Sequence, residues 1–514
     1  MSLAARLSAI LLAFCCAFSA RGADHAPLER GTAIIDPLAL RVLDHGRFGL
    51  RRILSPGSAD MPLTSAQLFA LASMAPVKKA LDDDFERYVA KHKAELGADF
   101  AFQLFDRAQL YSPDTRFVLS GIVNRMDRAY VPGEECGEIR LIYRLTPIDA
   151  NTVGEAAATQ RLPMTLNVVL KARGAAPSDR RGLTTACAEI AKRWLAAGSL
   201  TATGAELAEQ LAAPGGALDL IARENIDRLE TNLQIAHAPK SPTHDFRTDY
   251  LMKVFDYDPR SATFVEAPLE NQIDRDRLLS DASLARDFKT WLLDPVHLAE
   301  LDRGTLLIPE RFLLKRAIAS TPAGFAPSDL QPAFGLVEGE GGTKHPLFSA
   351  SDVALALAKA AALDVDLQNI RSVGGFERRL NDVSCSGCHQ SRGIGGFHFP
   401  GVDWMAAKPS NSTVVPGSPH FFGDQVRRRD IVTAFAEGRE PDFSRGFASR
   451  PQLRGSAELA GTEYEDGWGA HCYLRHGKAG ADDRSFQGWT CAEGLTCHTA
   501  GDSTRMGMCF VKTR

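Results

Sequence analysis

The stretch GEIRLIYRL, residues 137–145, decides the fold class, because its apolar residues alternate with charged or polar ones. This period of two is typical of a β-strand with two different faces. Two further stretches, RFVLSGIV (116–123) and LPMTLNVVLKA (162–172), have a similar apolar character and are separated from it by turn residues. Together they predict a small antiparallel sheet.

Helical patterns surround these strands. Residues 64–96 predict one or two helices with Thr64 as N-cap, residues 184–198 predict a helix that ends at Gly198, and residues 205–233 are also assigned to helix. Further helices are expected between residues 274 and 320, and an alanine-rich helix over 349–370 leads toward residue 385.

A hairpin is predicted over residues 249–267, with its turn at Asp258-Pro259-Arg260-Ser261. Strands and helices are interspersed without regular βαβ alternation, which favours an α+β class over a doubly wound sheet.

The chain has 514 residues, of which 45% are hydrophobic and 24% charged, with a formal net charge of -4. Such a length predicts several domains. We expect an α+β N-terminal domain (23–240), a mainly helical domain (241–455) and a small cysteine-rich module (456–514). The charge balance argues against nucleic acid as a partner.

The first 22 residues have the pattern of a secretory signal peptide. Arg6 precedes an apolar run over residues 7–18, and small residues suited to cleavage follow near Gly22. The run is shorter than the roughly 20 apolar residues that a spanning helix needs. We therefore expect a soluble, periplasmic or secreted mature chain without a membrane span.

Disulfides persist outside the cytoplasm, so the cysteine spacing is informative. The chain has ten cysteines, two of them in the signal region. Cys136 and Cys187 form a plausible long-range pair. The last four predict a module with two disulfides, whose connectivity the sequence leaves open: Cys472, Cys491, Cys497 and Cys509. Cys385 and Cys388 are left without an evident structural role.

These two cysteines lie in NDVSCSGCHQSRGIGGFHF, residues 381–399. Two cysteines three residues apart can form thioether bonds to the two vinyl groups of one haem, and a histidine directly after the second can ligate the iron. At these residues the chain resembles c-type cytochromes. The resemblance implies one covalently bound haem c, held by Cys385 and Cys388, with His389 as the proximal iron ligand.

The order of segments, from CGEIRLIYRL through the cysteine-bearing helix to the late motif, also resembles a group of secreted bacterial proteins with one late haem site.

The second axial ligand stays open. Met405 and His398 are the first candidates, although each also fits an ordinary structural residue, and His345 and His420 are weaker ones. Arg392 is placed to pair with a haem propionate, with a solvated arginine as the alternative.

The cysteine motif is also compatible with two arrangements that involve no haem. One is a disulfide between Cys385 and Cys388, structural or redox-active. The second is a zinc ion bound by the two cysteines with His389 and His398, although adjacent ligands at 388 and 389 are awkward for a tetrahedral ion.

Three functions are compatible with a haem at this motif. The first is an exported monohaem cytochrome that transfers electrons to or from a redox partner protein or a small molecule. The second is a peroxidase-like or oxygenase-like enzyme with an open sixth position. The third is a binding module in which the haem is structural or sensory.

Overall fold

The computed structural model describes residues 30–55, 61–93, 103–133, 136–148, 162, 164–173, 180–238, 247–321, 346–391, 424–445, 471–474, 483–486, 489–491, 493–499 and 506–511. All structural statements below concern these residues.

The helices are numbered in chain order. Those of the first half are α1 (Pro37–His45), α2 (Leu50–Leu54), α3 (Ser65–Phe69), α4 (Ala75–Lys91), α5 (Arg180–Ala197) and α6 (Gly204–Ala212). Those of the second half are α7 (Arg275–Ser280), α8 (Ala282–Leu292), α9 (Pro295–Arg303), α10 (Ala350–Ala362), α11 (Val373–Val383), α12 (Cys385–Ser391) and α13 (Gln425–Glu437).

Nine of the described strands form one sheet: β1 (Ala33–Ile34), β2 (Gln103–Leu104), β3 (Thr115–Arg125), β4 (Glu138–Pro147), β5 (Met164–Lys171), β6 (Ile226–Ala238), β7 (Arg247–Asp258), β8 (Thr263–Ala267) and β9 (Ala317–Thr321). The order is β1-β3-β4-β5-β6-β7-β8, with β2 paired to β6 and β9 to β7. Every pair in it is antiparallel. This mixture of helices with an antiparallel sheet confirms the α+β class.

The two faces of the sheet differ in polarity, as the alternation in β4 predicts. Ile139, Leu141 and Tyr143 point into the main apolar core, which also contains Phe85 of α4 and Trp194 of α5. The opposite face carries charged side chains that are nevertheless buried, among them Glu138, Arg140, Arg144 and Glu230. A second apolar core forms among helices α7 to α11.

The helical assignment of residues 205–233 is wrong beyond residue 212. Helix α6 ends at Ala212, and the strand β6 begins at Ile226. Ile226, Leu229 and Leu233 stand at spacings of three and four, which imitates a helix face. Here they are buried on one side of a strand that pairs with both β5 and β7, so tertiary pairing overrides the local pattern.

Other local predictions are confirmed. Thr64 caps α3 and forms a capping box with Gln67. The hairpin turns after Asp258, which pairs with Thr263.

Since β6 pairs with β7, the domain boundary expected at residue 240 falls within one continuous sheet.

The predicted disulfides are also confirmed. Cys136 is bonded to Cys187, which joins the start of β4 to α5. In the C-terminal module the pairs are Cys472–Cys497 and Cys491–Cys509. This module contains a second sheet of β10 (His471–Tyr473), β12 (Met506–Val511) and β11 (Leu495–Thr499), in that order. Within the described residues, no helix has both the length and the apolar character needed to cross a membrane.

The Cys136–Cys187 disulfide gives a first prediction. The two cysteines are 51 residues apart, so the bond removes considerable freedom from the unfolded chain. Replacing both by serine should lower the free energy of unfolding by about 2–4 kcal/mol. Urea denaturation measures this change, with the exposed Ala361→Ser as a control that should unfold like the wild type. An unchanged midpoint in the double variant would contradict the stabilising role.

Candidate functional site

The segment Cys385-Ser386-Gly387-Cys388-His389 forms the start of α12. The preceding residue, Ser384, caps this helix. The Gly387 N–H donates to Ser384 Oγ at 3.0 Å, and the Cys388 N–H donates to the Ser384 carbonyl oxygen at 2.8 Å. Residues three and four apart share a helix face, so positions 385, 388 and 389 lie on the same side of α12.

The turn between α11 and α12 is too tight for any side chain at position 387. A Cβ atom there would overlap the carbonyl oxygen of Asn381 near the end of α11. Ser386, the other residue between the two cysteines, is fully buried. Close packing of the two helices therefore accounts for a glycine at position 387.

Cys385 contacts the part of the sheet formed by β7, β8 and β9. It packs against a small apolar cluster of Met252, Val254, Ala267, Leu269, Ala317 and Ala319. Its Sγ lies 3.3 Å from the carbonyl oxygen of Glu270, to which the thiol donates. The cysteine side chain thus faces an apolar surface with one hydrogen-bond acceptor.

Burial raises the pKa of the Cys385 thiol well above its usual value, and the negative charge of Glu270 acts in the same direction. The thiol is therefore protonated at neutral pH. Redox-active cysteines commonly have a lowered pKa, whereas the pKa of Cys385 is shifted in the opposite direction.

Cys385 and Cys388 differ from the other described cysteines in their oxidation state. The other six all form disulfides, whereas these two are thiols. Cys388 is 4% exposed. The alternative of a disulfide between Cys385 and Cys388 is thus not realised in this structure.

The zinc alternative stays a prediction, because the side chains of His389 and His398, two of its four ligands, lie outside the described residues. The group of described side chains that is close enough to share a metal ion is Cys472, Cys491 and Cys509. All three sulfurs belong to disulfides, so they do not serve as thiolate ligands.

Several predicted site residues cannot be placed. Arg392, His398 and Met405 lie outside the described residues, as do the weaker candidates His345 and His420. The backbone of His389 belongs to α12, but its side chain is not described.

The sequence interpretation missed a set of buried ion pairs beside the motif. Arg128, which follows β3 and is 6% exposed, holds the carboxylate of Glu270 through both terminal nitrogens, with Nη1 at 3.0 Å from Oε1. Burial opposes ionisation of Glu270, but Arg128 outweighs it, so the pKa of Glu270 lies below its usual value. The residue whose carbonyl accepts from Cys385 is therefore anchored to the sheet.

A second group of charges lies on the polar face of β4 and β6. Glu138 and Glu230 alternate there with Arg140 and Arg228, and Arg140 Nη1 lies 3.0 Å from Glu230 Oε2. The sequence signal was present, since glutamate and arginine stand two positions apart in both strands. Alone, that spacing predicts a solvated face, whereas Glu138 and Glu230 are at most 4% exposed.

A third group centres on Asp127. Its Oδ2 lies 2.8 Å from Arg427 Nη2 and 2.6 Å from Arg445 Nη2, and its Oδ1 lies 2.8 Å from Arg125 Nε. Burial opposes ionisation, but these arginines hold the pKa of Asp127 well below its usual value. Asp127 therefore joins the end of β3 to α13 and to residue 445.

The C-terminal module lies against α11, the helix that precedes the motif. Ser372 Oγ donates to Asp483 Oδ1 at 2.6 Å, and the Arg371 N–H donates to Ser485 Oγ at 3.1 Å. The guanidinium of Arg378 lies 5.4 Å from the centre of the Trp489 ring. These contacts connect the module to the helical region that carries the cysteine pair.

We compared this chain with models of known protein families, with curated proteins and with solved structures, and none of them matches.

The buried Asp127 gives a second prediction. Because its pKa is lower in the folded than in the unfolded chain, it contributes stability above its unfolded pKa of about 3.9, and this contribution is lost as the pH falls below that value. Asp127→Asn should lower the free energy of unfolding near neutral pH by about 3–5 kcal/mol, because buried arginines lose their counter-charge. The difference from the wild type should shrink below about pH 4.

Thermal unfolding at a series of pH values measures this effect. The matched control is Asp364→Asn, at an exposed position with a left-handed backbone that asparagine tolerates. It should unfold like the wild type at every pH. A difference for Asp127→Asn that does not change with pH would contradict the assigned role of its ionisation.

Proposed function

We propose that this protein is an exported monohaem cytochrome that transfers electrons through a haem covalently bound to Cys385 and Cys388. The observation that carries the proposal is the pair of thiols, three residues apart and followed by His389, in a chain whose other described cysteines are all oxidised. A haem-attachment site needs such a pair, because each thiol forms one thioether bond.

The apolar surroundings of Cys385 support this proposal. Positions 385, 388 and 389 share one face of α12. Cys385 adjoins the apolar side chains of Met252 and Leu269, and its thiol is protonated. A protonated, buried thiol resists oxidation before the haem is attached.

Each residue has a separate task under this proposal. Cys385 and Cys388 would hold the haem, and His389 would ligate its iron. When bound, the haem would supply one-electron chemistry at its iron. Arg392 would pair with a propionate, and His398 or Met405 would be the second iron ligand.

An exported location agrees with the three disulfides, which form and persist in oxidising compartments. We propose the periplasm or the cell exterior as the location, and a redox partner protein or a small molecule as the electron donor or acceptor. The contacts of Asp483, Ser485 and Trp489 with the α11 region favour a structural role for the C-terminal module over an independent binding role.

The decisive experiment uses full-length protein produced in a bacterial periplasm that attaches haem. Oxidised and reduced optical spectra, with a pyridine haemochrome assay on the denatured chain, report whether a c-type haem is covalently bound. A low-spin, six-coordinate spectrum would support electron transfer. A high-spin spectrum with an open position would instead favour the peroxidase-like or oxygenase-like enzyme.

Two variants extend this test and constitute a third prediction. Cys385→Ala/Cys388→Ala should contain no covalent haem, because both thioether bonds are lost. His389→Ala should alter the spectrum through loss of the proximal ligand. The control His297→Ala removes a half-buried histidine of α9 and should leave the spectrum unchanged. A colourless wild-type protein with a Cys385–Cys388 disulfide would rule out the haem proposal.

A further inference from the structure

The turn after β8, Glu270-Asn271-Gln272, makes hydrogen bonds to two consecutive residues at the start of α12. The carbonyl oxygen of Glu270 accepts from Cys385 Sγ at 3.3 Å. The side-chain Oε1 of Gln272 accepts from the Ser386 N–H at 2.9 Å. One short turn therefore contacts both the first cysteine of the motif and the residue after it.

Gln272 is fully buried and caps α12 from a distant part of the chain. The first N–H groups of a helix have no partner within the helix, so they need an acceptor from elsewhere. Ser384 Oγ supplies one for Gly387, and Gln272 supplies one for Ser386. The first turn of α12 is thus held from two sides.

The turn itself has a fixed conformation. Asn271 adopts a left-handed backbone with φ of 56°, which is uncommon for a residue other than glycine. Its side chain donates to the Leu306 carbonyl oxygen and accepts from the Ile308 N–H, both at 2.8 Å. These bonds hold the turn that separates the Glu270 carbonyl from the Gln272 side chain.

Glu270 and Gln272, on either side of Asn271, are also held by contacts to the rest of the fold. Arg128 binds the Glu270 carboxylate, and the Gln272 carbonyl oxygen accepts from the Leu314 N–H at 2.8 Å. A turn fixed by the sheet on one side and by residues 306–314 on the other is a rigid support, not a mobile loop.

We propose that the turn Glu270-Asn271-Gln272 is the positioning element that orients Cys385 for thioether formation, with Gln272 as its principal residue. This inference rests on the proposed function. In forming the bond, the Cys385 S–H adds across a vinyl group: sulfur bonds to the inner carbon, the C=C π bond is lost and the hydrogen goes to the outer carbon. No oxidant or reductant is consumed, so the orientation of the sulfur is what the chain itself supplies.

The two cysteines depend on this turn unequally. Cys385 is the first residue of α12 and contacts the turn directly, whereas the Cys388 N–H is bonded to Ser384 within the same segment. Weakening the turn should therefore impair the bond from Cys385 and spare the one from Cys388.

The test compares Gln272→Met with the wild type. Methionine has nearly the same length but cannot accept from the Ser386 N–H as an amide oxygen does. After purification and proteolysis, mass spectrometry of the haem peptide separates one thioether from two, and the pyridine haemochrome band position reports saturated vinyl groups. The ratio of single to double attachment should rise about fivefold, the factor expected for losing one hydrogen bond, with Cys388 as the remaining link.

Asn271→Ala tests the same turn independently, because it removes both side-chain bonds and strains the left-handed backbone. It should shift the ratio in the same direction. The matched control is Gln210→Met on the exposed side of α6, which should keep double attachment.

A second readout requires no haem. In protein made without haem attachment, Cys385 of Gln272→Met should react with a maleimide about fivefold faster than in the wild type, while Cys388 is unchanged. An unchanged single-to-double ratio in both variants, with only a lower yield, would overturn the inference, because that pattern describes a general structural role. A wild-type protein without covalent haem would refute the proposed function instead, and the alkylation rates would still test the positioning of Cys385.

Discussion

The ion pair between Arg128 and Glu270 connects the sheet to the turn that contacts Cys385, and the candidate site depends on both. Arg128 follows β3 on the side of the sheet away from the main core, and Glu270 lies in the turn that contacts Cys385. An arginine that is 6% exposed loses its hydration on folding and requires a counter-charge. Glu270 provides it, so this ion pair holds one side of the turn against the sheet.

This arrangement accounts for a sheet face that is polar although it is buried. Charges placed there are costly unless they are paired. Ion pairs meet that requirement for Glu138, Arg140, Arg228 and Glu230. Separating a buried ion pair is costly, so these pairs favour one arrangement of their surroundings. Around Cys385 that specificity is useful, because covalent chemistry at a sulfur atom depends on its orientation.

The sequence predicts the local structure well where a pattern has one interpretation. The stretch 137–145 largely alternates and lies almost entirely in β4, and Thr64 with Gln67 predicts the start of α3. The helix prediction for residues 226–233 is wrong because Ile226, Leu229 and Leu233 fit a helix face as well as a strand in a paired sheet.

The site is predicted only in part. The motif itself is contiguous and can be recognised, but the contacts that hold it are not local. Glu270 and Gln272 precede their partners by 115 and 114 residues. Nothing in a single sequence pairs a turn with a helix over such a distance, and a glutamine after a strand has no distinctive pattern. Such contacts become visible only in three dimensions.

The docking of the C-terminal module on α11 has a consequence for the order of folding. Ser372 and Arg378 find their partners in Asp483 and Trp489, each 111 residues further along the chain. Contacts at such a separation close a long loop, so they form later in folding than the local contacts within α11. The helix next to the cysteine pair therefore completes its packing only after the C-terminal module has docked.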